Sequence, residues 1–469
     1  MSLRPLKTGQ KRTSIENILP TNHTLYKACS PSQHEEQHLY MEDRLMRQQA
    51  LNSAPSRHDR WYEKLLLNPV LGKAIALSMV VFGSQLISYQ SLPGDQNQFT
   101  TLGILTAIFL LSAILGKNIS RFPGGQSPGY TIGTVMASAG IVLAIVLAAR
   151  LQYARLPLAI GISLMVALQY LSLWFNRRFK HLKFAVIPYG ETQYVPNHFN
   201  IHWRRLNVPS LEGCRFDGLV VDMSVNLSPD WARFVTSCNV SGIPIFDAKQ
   251  VYEALEGKVD IGALKSNDIR LLQPSPTYIA FKRLLDITAS LILLPFIIPV
   301  CILTAIGIKL DSPGPILFIQ KRVGHGNREF KMYKFRSMKM TNCQEPRFAD
   351  EDAHRITRLG SMIRKYRIDE LPQIYNVLTG QMSLIGPRPE QSNFVEKFEA
   401  EVPYYGYRHI VKPGITGWAQ VNHGYSSDVE STKEKVEHDF YYIKHISFWL
   451  DTLIILRTMK TIITGFGAK

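Results

Sequence analysis

The chain has 469 residues and carries 53 Lys and Arg against 37 Asp and Glu, a net charge of +16 with a pI near 9.5. That length allows two or three domains, and the charge calls for an acidic partner: nucleic acid, anionic lipid or a phosphorylated substrate. Long apolar stretches beside the charge argue against nucleic acid, and the five Cys, scattered without a Cys-x-x-Cys or a zinc-type His spacing, read as ordinary thiols of a reducing compartment.

Residues 1–66 form a polar tail rich in Arg, Gln, Glu and Ser with no signal peptide. It is expected to be cytoplasmic and largely disordered, apart from a short helix around 37–52. Residues 67–178 hold four apolar segments, at 69–89, 100–115, 130–149 and 156–175. Each is near the ~20 residues that cross a bilayer, the second being short. Basic residues set the orientation. The tail has Arg57, Arg60 and Lys64, the loop around Gly94 has none, the next has Lys117 and Arg121, and the exit has Arg177, Arg178, Lys180 and Lys183. Arg150 and Arg155 run against the pattern, yet the balance keeps the tail and everything after Phe175 on the cytoplasmic side of the inner membrane.

Residues 183–275 read as a small α/β insert of Rossmann type. Short apolar runs at 184–188, 218–222 and 242–246 predict parallel strands, with helices near 229–237 and 250–255. The first strand leads into Pro188-Tyr189-Gly190, not into Gly-x-Gly-x-x-Gly, so a pyrophosphate has no glycine loop to approach. The insert is therefore expected to be structural or oligomerising, not a cofactor site.

The C-terminal domain, 279–469, opens with a fifth apolar stretch over 284–310. Lys282 and Arg283 precede it, and Lys309, Lys321 and Arg322 follow. Basic residues at both ends predict that both lie on one face of the membrane. Pro295 and Pro299 near its middle predict a helix that bends and returns, with a kinked full span as the alternative. Asp286 at its mouth needs a partner, such as Arg283 or a neighbouring cation.

Seven cations then fall between 321 and 339 (Lys321, Arg322, Arg328, Lys331, Lys334, Arg336, Lys339), interleaved with Phe330, Met332, Phe335 and Met338. Either this is a solvated strand over lipid headgroups, or some cations, assigned as Lys334 and Arg336, bind phosphate while the apolar residues pack or dip into lipid. Next comes Asp369-Glu370-Leu371-Pro372. Pro372 suits the first turn of a helix over 373–378, which puts both carboxylates at its N-terminal end. They can simply cap it, or one can attack phosphorus while the other holds Mg²⁺. Arg364 and Arg388 stand on either side in sequence, and Arg forks match phosphate oxygens. Pro387 and Pro389 would hold Arg388 in place. Residues 440–449 have the aromatic-plus-Lys character of a membrane interface, and 450–463 predict an apolar helix on the surface or in the core.

From Lys282 to about Ile463 the chain resembles the bacterial polyprenyl-phosphate hexose-1-phosphate transferases, which start capsule, exopolysaccharide or O-antigen synthesis. The blocks that carry the resemblance include Lys282-Arg-Leu-Leu-Asp286, Tyr333-Lys-Phe-Arg-Ser-Met338, the Asp-Glu-Leu-Pro block, Gly386-Pro-Arg-Pro389 and Lys412-Pro-Gly-Ile-Thr-Gly-Trp418. The resemblance implies a two-step reaction. Asp369 would attack the sugar-linked phosphate of a UDP-hexose, releasing UMP, and undecaprenyl phosphate would then take the phosphosugar. Glu370, with Asp369, would hold Mg²⁺, and Arg364 and Arg388 would bind phosphate. The family often has Ser-Pro at the helix break, where this chain has Ile298-Pro299, so Pro299 is kept and the hydroxyl is lost.

The expected fold is thus a membrane protein: an N-terminal four-helix transmembrane bundle, a Rossmann-like α/β insert, and a C-terminal α+β catalytic domain with a re-entrant helix and surface amphipathic helices. Its expected partners are UDP-hexose, undecaprenyl phosphate and inner-membrane lipids. Self-association through the transmembrane bundle or the insert stays open. Two other functions fit the same sequence: a glycosyltransferase releasing UDP, and a non-catalytic scaffold for polysaccharide export.

Overall fold

The computed structural model describes residues 68–464 apart from 92, 126, 180, 191, 193–200, 212, 263, 265–271, 340–354 and 423–428; the polar tail and its expected helix around 37–52 lie outside the described residues. Four helices come first: α1 (Pro69–Tyr89), α2 (Gln96–Ile119), α3 (Pro128–Ala148) and α4 (Arg155–Phe179). With a later one they make five helices, among the described residues, long and apolar enough to cross a membrane. The chain is a membrane protein. Prolines open α1 and α3, where the first turn has no donor to lose. The second helix is longer than its apolar run, because Gln98 Oε1 accepts from Gly94 N at 2.9 Å and draws the polar first turn into the helix. Helix α1 packs on α4 and α2 on α3, around Val80, Leu105, Ile108, Val135 and Met165.

The insert holds four parallel strands, β1 (Leu182–Val186), β2 (Ile201–Arg205), β3 (Gly218–Val221) and β4 (Ile245–Asp247), in the order β2-β1-β3-β4. Helices α5 (Pro229–Val240) and α6 (Ala248–Glu256) accompany them. Strand β2 was not expected. It is an edge strand whose Arg204 and Arg205 stay exposed, so it lacks the apolar run of a central strand. Beyond α6 the insert docks on the C-terminal domain. Gly257 O accepts from Trp418 Nε1 at 2.8 Å and from His438 Nδ1 at 2.9 Å. Gly257 has φ +69°, and a Cβ there would lie 2.8 Å from the Trp418 ring. The loop between α2 and α3 meets the same place: Arg457 lies 4.4 Å from the Trp418 ring centroid and donates to Pro123 O.

Helix α7 (Pro276–Asp311) runs for 36 residues with Pro295 and Pro299 inside it. Each proline withdraws a donor from the carbonyl four residues earlier. The C-terminal domain grips both ends of this helix. Near its start, Lys282 Nζ meets Asp451 Oδ2 at 2.7 Å, and Arg283 donates to Val377 O and, at 2.9 Å, to Leu378 O. Near its end, Ile308 packs with Phe335 and Ile363. Its middle is open: Leu291, Phe296, Ile298 and Leu303 are exposed. Asp286 does not pair with Arg283 as expected. The other expected partner, a neighbouring cation, is present as the Lys282 charge; Asp286 also accepts from Ser383 Oγ at 2.7 Å and Leu384 N at 3.2 Å, while Arg283 is drawn to carbonyls at a helix end.

After α7, strands β5 (Leu317–Val323) and β6 (Glu329–Phe335) form an antiparallel hairpin. Helix α8 (Arg358–Lys365), a 3₁₀ turn (Ile368–Gln373) and α9 (Ile374–Leu378) follow. Strands β7 (Ser383–Ile385) and β8 (Gly414–Thr416) pair in parallel, with α10 (Ser392–Glu401) between them in sequence. The chain closes with α11 (Trp418–Asn422), α12 (Val429–Lys444) and α13 (Phe448–Thr464). The core of this domain gathers Tyr405, Trp418, Phe440, Tyr442 and Leu453.

Candidate active site

The helical run beginning at Ile368 starts five residues before the expected helix, and its first six residues wind as 3₁₀. Arg367 turns the chain into it with a left-handed backbone, φ 55° and ψ 25°, a conformation uncommon outside Gly. This puts Asp369 and Glu370 in the first turn of the run. Asn376, fully buried, clamps the run to the hairpin. Its Nδ2 donates to Lys331 O at 2.7 Å, and its Oδ1 accepts from Tyr333 N at 3.3 Å. That stitch carries Lys334 to the acid pair.

The two carboxylates are in different states. Glu370 is buried, and its oxygens meet Arg388 Nη2 at 3.0 Å, Lys334 Nζ at 3.3 Å and Arg367 Nη1 at 3.9 Å. Burial alone would raise its pKa, but Arg388, Lys334 and Arg367 outweigh burial and hold it well below the usual carboxylate range. Asp369 is half-buried and has no hydrogen bond or ion pair among the described residues. Burial first, then the neighbouring Glu370 charge, push its carboxyl up, while Lys334, Arg388 and Arg364 pull against them. The raised pKa makes Asp369 the more basic carboxylate of the two.

Arg388 sits in a turn fixed by close backbone approach. A Cβ at Gly386 would lie 2.4 Å from Lys412 O, so only glycine lets the Gly-Pro-Arg-Pro turn lie on the Lys-Pro-Gly segment. Arg364, in the last turn of α8, keeps Nη1 buried with no hydrogen-bond partner among the described residues, and Gln373 does the same with its Nε2. Buried donors left unpaired are costly, and both suit an absent acceptor such as a phosphate oxygen.

Arg336, expected to bind phosphate, is committed elsewhere. Strand β6 ends at Phe335, and the Arg336 guanidinium turns under the end of α7. There it donates to Ser312 O at 2.6 Å, Pro313 O at 2.8 Å and Ser312 Oγ at 3.0 Å. Its charge serves a helix C-terminus. Phe330, Met332 and Phe335 pack inward instead of meeting lipid, while Lys321, Arg328 and Lys331 are exposed. Pro299 lies in the open middle of α7.

A family model described as bacterial sugar transferase matches residues 277–465. The UDP-N-acetylgalactosamine-undecaprenyl-phosphate N-acetylgalactosaminephosphotransferase of Aeromonas hydrophila is 43% identical over 422 residues, which cover 88% of this chain and 99% of that one. The chain belongs to the bacterial sugar transferase family. Two further relatives match part of this transferase. The UDP-glucose:undecaprenyl-phosphate glucose-1-phosphate transferase of Xanthomonas campestris is 43% identical over 188 residues, 39% of this chain and 38% of its own. The Escherichia coli K12 protein of that name is 38% identical over 238 residues, half of each chain.

Arg367, Gln373 and Asn376 of the transferase escaped the sequence reading. The three-residue step from Arg367 to Glu370 was a usable signal, since such pairs meet across a helical turn. Gln373 and Asn376 gave none, because their importance comes from what they face. As for a divalent cation, Mg²⁺ is commonly held by one or two carboxylates with waters and substrate phosphates completing the set. Asp369 and Glu370 fit that pattern, and no group of three or more His, Cys, Asp or Glu gathers among the described residues. Glu370 would have to loosen one of its three cations to take part.

Proposed function

We propose that this transferase moves hexose-1-phosphate from a UDP-sugar to undecaprenyl phosphate through a phosphosugar on Asp369. One observation carries the reading: a carboxylate with no hydrogen bond or ion pair among the described residues stands among four cations (Lys334, Arg364, Arg367, Arg388), and two buried donors, Arg364 Nη1 and Gln373 Nε2, have no partner among those residues. Two carboxylates do not use up that positive charge, and a diphosphate would.

An Asp369 oxygen attacks the sugar-linked phosphorus, the bond to the bridging oxygen breaks, and UMP leaves with that oxygen and its electron pair. A phosphate oxygen of the lipid then attacks the same phosphorus and the Asp369 carboxylate leaves unchanged. Arg364 and Arg388 neutralise the phosphate oxygens, and Glu370 holds Arg388 and Lys334 in position. Mg²⁺, bound by Glu370 and Asp369, would supply further charge neutralisation on the diphosphate.

The purified protein, given a panel of UDP-sugars and lipid acceptor, should release UMP. UDP as the sole nucleotide product would instead mean sugar transfer without its phosphate, and no nucleotide from any donor would favour a scaffold. UDP-N-acetylgalactosamine is the first donor to try, after the full-length relative, and UDP-glucose the second.

We infer that the catalytic domain faces the cytoplasmic side of the inner membrane, with α7 re-entrant. Its support is the grip of one domain on both ends of α7 while the middle lies open. Ala280 and Gly326, both exposed, flank the apolar stretch. With the native cysteines removed, Ala280→Cys and Gly326→Cys should both resist a membrane-impermeant thiol reagent in intact cells and both react after permeabilisation. Labelling of Gly326→Cys alone from outside would make α7 a full span.

A further inference from the structure

Arg388 reaches the acid pair from a backbone that is held at every step. Pro387 O accepts from Gly414 N at 2.9 Å, Pro389 O from Arg322 Nη1 at 3.2 Å, and Glu390 O from Val323 N at 2.9 Å. Arg388 O accepts from Arg408 Nη2 at 2.9 Å. The prolines at 387 and 389 fix φ on either side. Of these holds, the one on Arg388 itself is unusual, because it is made by a buried charge.

Arg408, 2% exposed, meets Asp439, 1% exposed, at 2.7 Å across 31 residues of sequence, and its Nη1 donates to Tyr405 Oη at 2.7 Å. Glu390, two residues beyond Arg388, pairs with Lys435 and, at 3.4 Å, with Arg322. Lys435 lies one helical turn before Asp439 on α12. Taking two charges out of water costs several kcal/mol per ion, and apolar replacements of buried pairs are often neutral or stabilising. Stability is thus a weak reason for an ion pair here, and its contact with Arg388 O suggests a better one.

We propose that Arg408 and Asp439 are positioning residues: the buried pair fixes the Arg388 backbone so that its guanidinium is aimed at the phosphate before substrate binds. The proposal rests on the reading of Arg388 as a phosphate ligand. Arg408 acts through Arg388 and touches no reacting atom. Asp439 keeps the Arg408 guanidinium oriented so that one nitrogen, Nη2, serves both the carboxylate and the Arg388 carbonyl. A Lys at 408 keeps the charge but loses the planar fork, so it cannot hold Asp439, Tyr405 and Arg388 in one plane.

The test is a double-mutant cycle on the single-turnover rate of UMP release, with thermal midpoints measured in parallel. Arg408→Lys should lower that rate about 10- to 100-fold, as misplacement by about 1 Å does, chiefly in kcat and not in KM for the UDP-sugar. In an Arg388→Ala background the same change should cost less than about 2-fold, since residues that act through one another are non-additive. A merely structural role would give the same factor in both backgrounds, and that result overturns the proposal. An Arg388→Ala rate equal to that of the native protein would overturn the phosphate assignment of Arg388 and this proposal with it. Should Arg408→Lys not fold, Tyr405→Phe keeps the ion pair, removes one hydroxyl and is subject to the same cycle, with a smaller loss that must also vanish in the Arg388→Ala background.

Discussion

Asp369→Asn should abolish turnover, with a loss of about 10⁴-fold or more, the scale seen when a nucleophile is removed. The amide is isosteric but cannot form an acyl-phosphate. It should not disturb the fold, because Asp369 has no hydrogen bond or ion pair among the described residues to lose. The sign of its pKa shift agrees. A carboxyl whose folded pKa is raised contributes against the fold once the pH rises past its ordinary value of 3.8, where the unfolded chain gives up the proton more readily. A neutral Asn removes that penalty, so the variant should melt no lower than the native protein at neutral pH. Mass spectrometry after incubation with UDP-sugar alone should find a phosphosugar adduct on Asp369 in the native protein and none in the variant. An adduct on any other residue would sink the assignment.

Glu370→Gln should behave in the opposite way on stability while still cutting the rate about 10²–10³-fold, the scale for loss of one electrostatic stabiliser. Here the charge is the counter-ion of Arg388, Lys334 and Arg367, and its removal leaves three cations facing one another. The folded pKa is lowered, so the stabilisation is present above the ordinary value of 4.5 and is lost as the pH falls toward the lowered one. The variant should therefore melt lower than the native protein at neutral pH, and the gap should close in acid. Chelation should stop the native enzyme and added Mg²⁺ restore it, with the variant needing a higher Mg²⁺ concentration. A variant with unchanged metal dependence and unchanged melting would remove Glu370 from both roles.

What the sequence made legible was local. The apolar helices announce themselves by length, and the acid pair and the Gly-Pro-Arg-Pro turn are contiguous, so their chemistry could be argued from neighbours. Lys334 and Arg336 show where that stops. Two residues apart, they look equivalent in the sequence, but the strand ends between them. One reaches Glu370 and the other turns under the end of α7. The roles of Asn376, Trp418 and the Arg408–Asp439 pair were not legible, because each depends on a partner far along the chain. Asp286 was legible in part: of the two partners expected, Arg283 turns to the Val377 and Leu378 carbonyls, while the neighbouring Lys282 charge acts on Asp286, which also takes a hydroxyl and a backbone N–H.

The double grip on α7 bears on how two unlike substrates find each other. On the proposed topology, both ends of the helix are fastened to the domain that carries Asp369, so α7, together with the Arg457 contact to the loop after α2, would set the height of the carboxylate over the lipid plane. The donor arrives from water and searches in three dimensions. The acceptor, anchored by its chain, searches in two. On the proposed two-step reading, a site held at a constant depth would let that second search end without the phosphate leaving the headgroup layer, so the second step should respond to the acceptor's density per unit area of membrane and not to its amount per volume of cell.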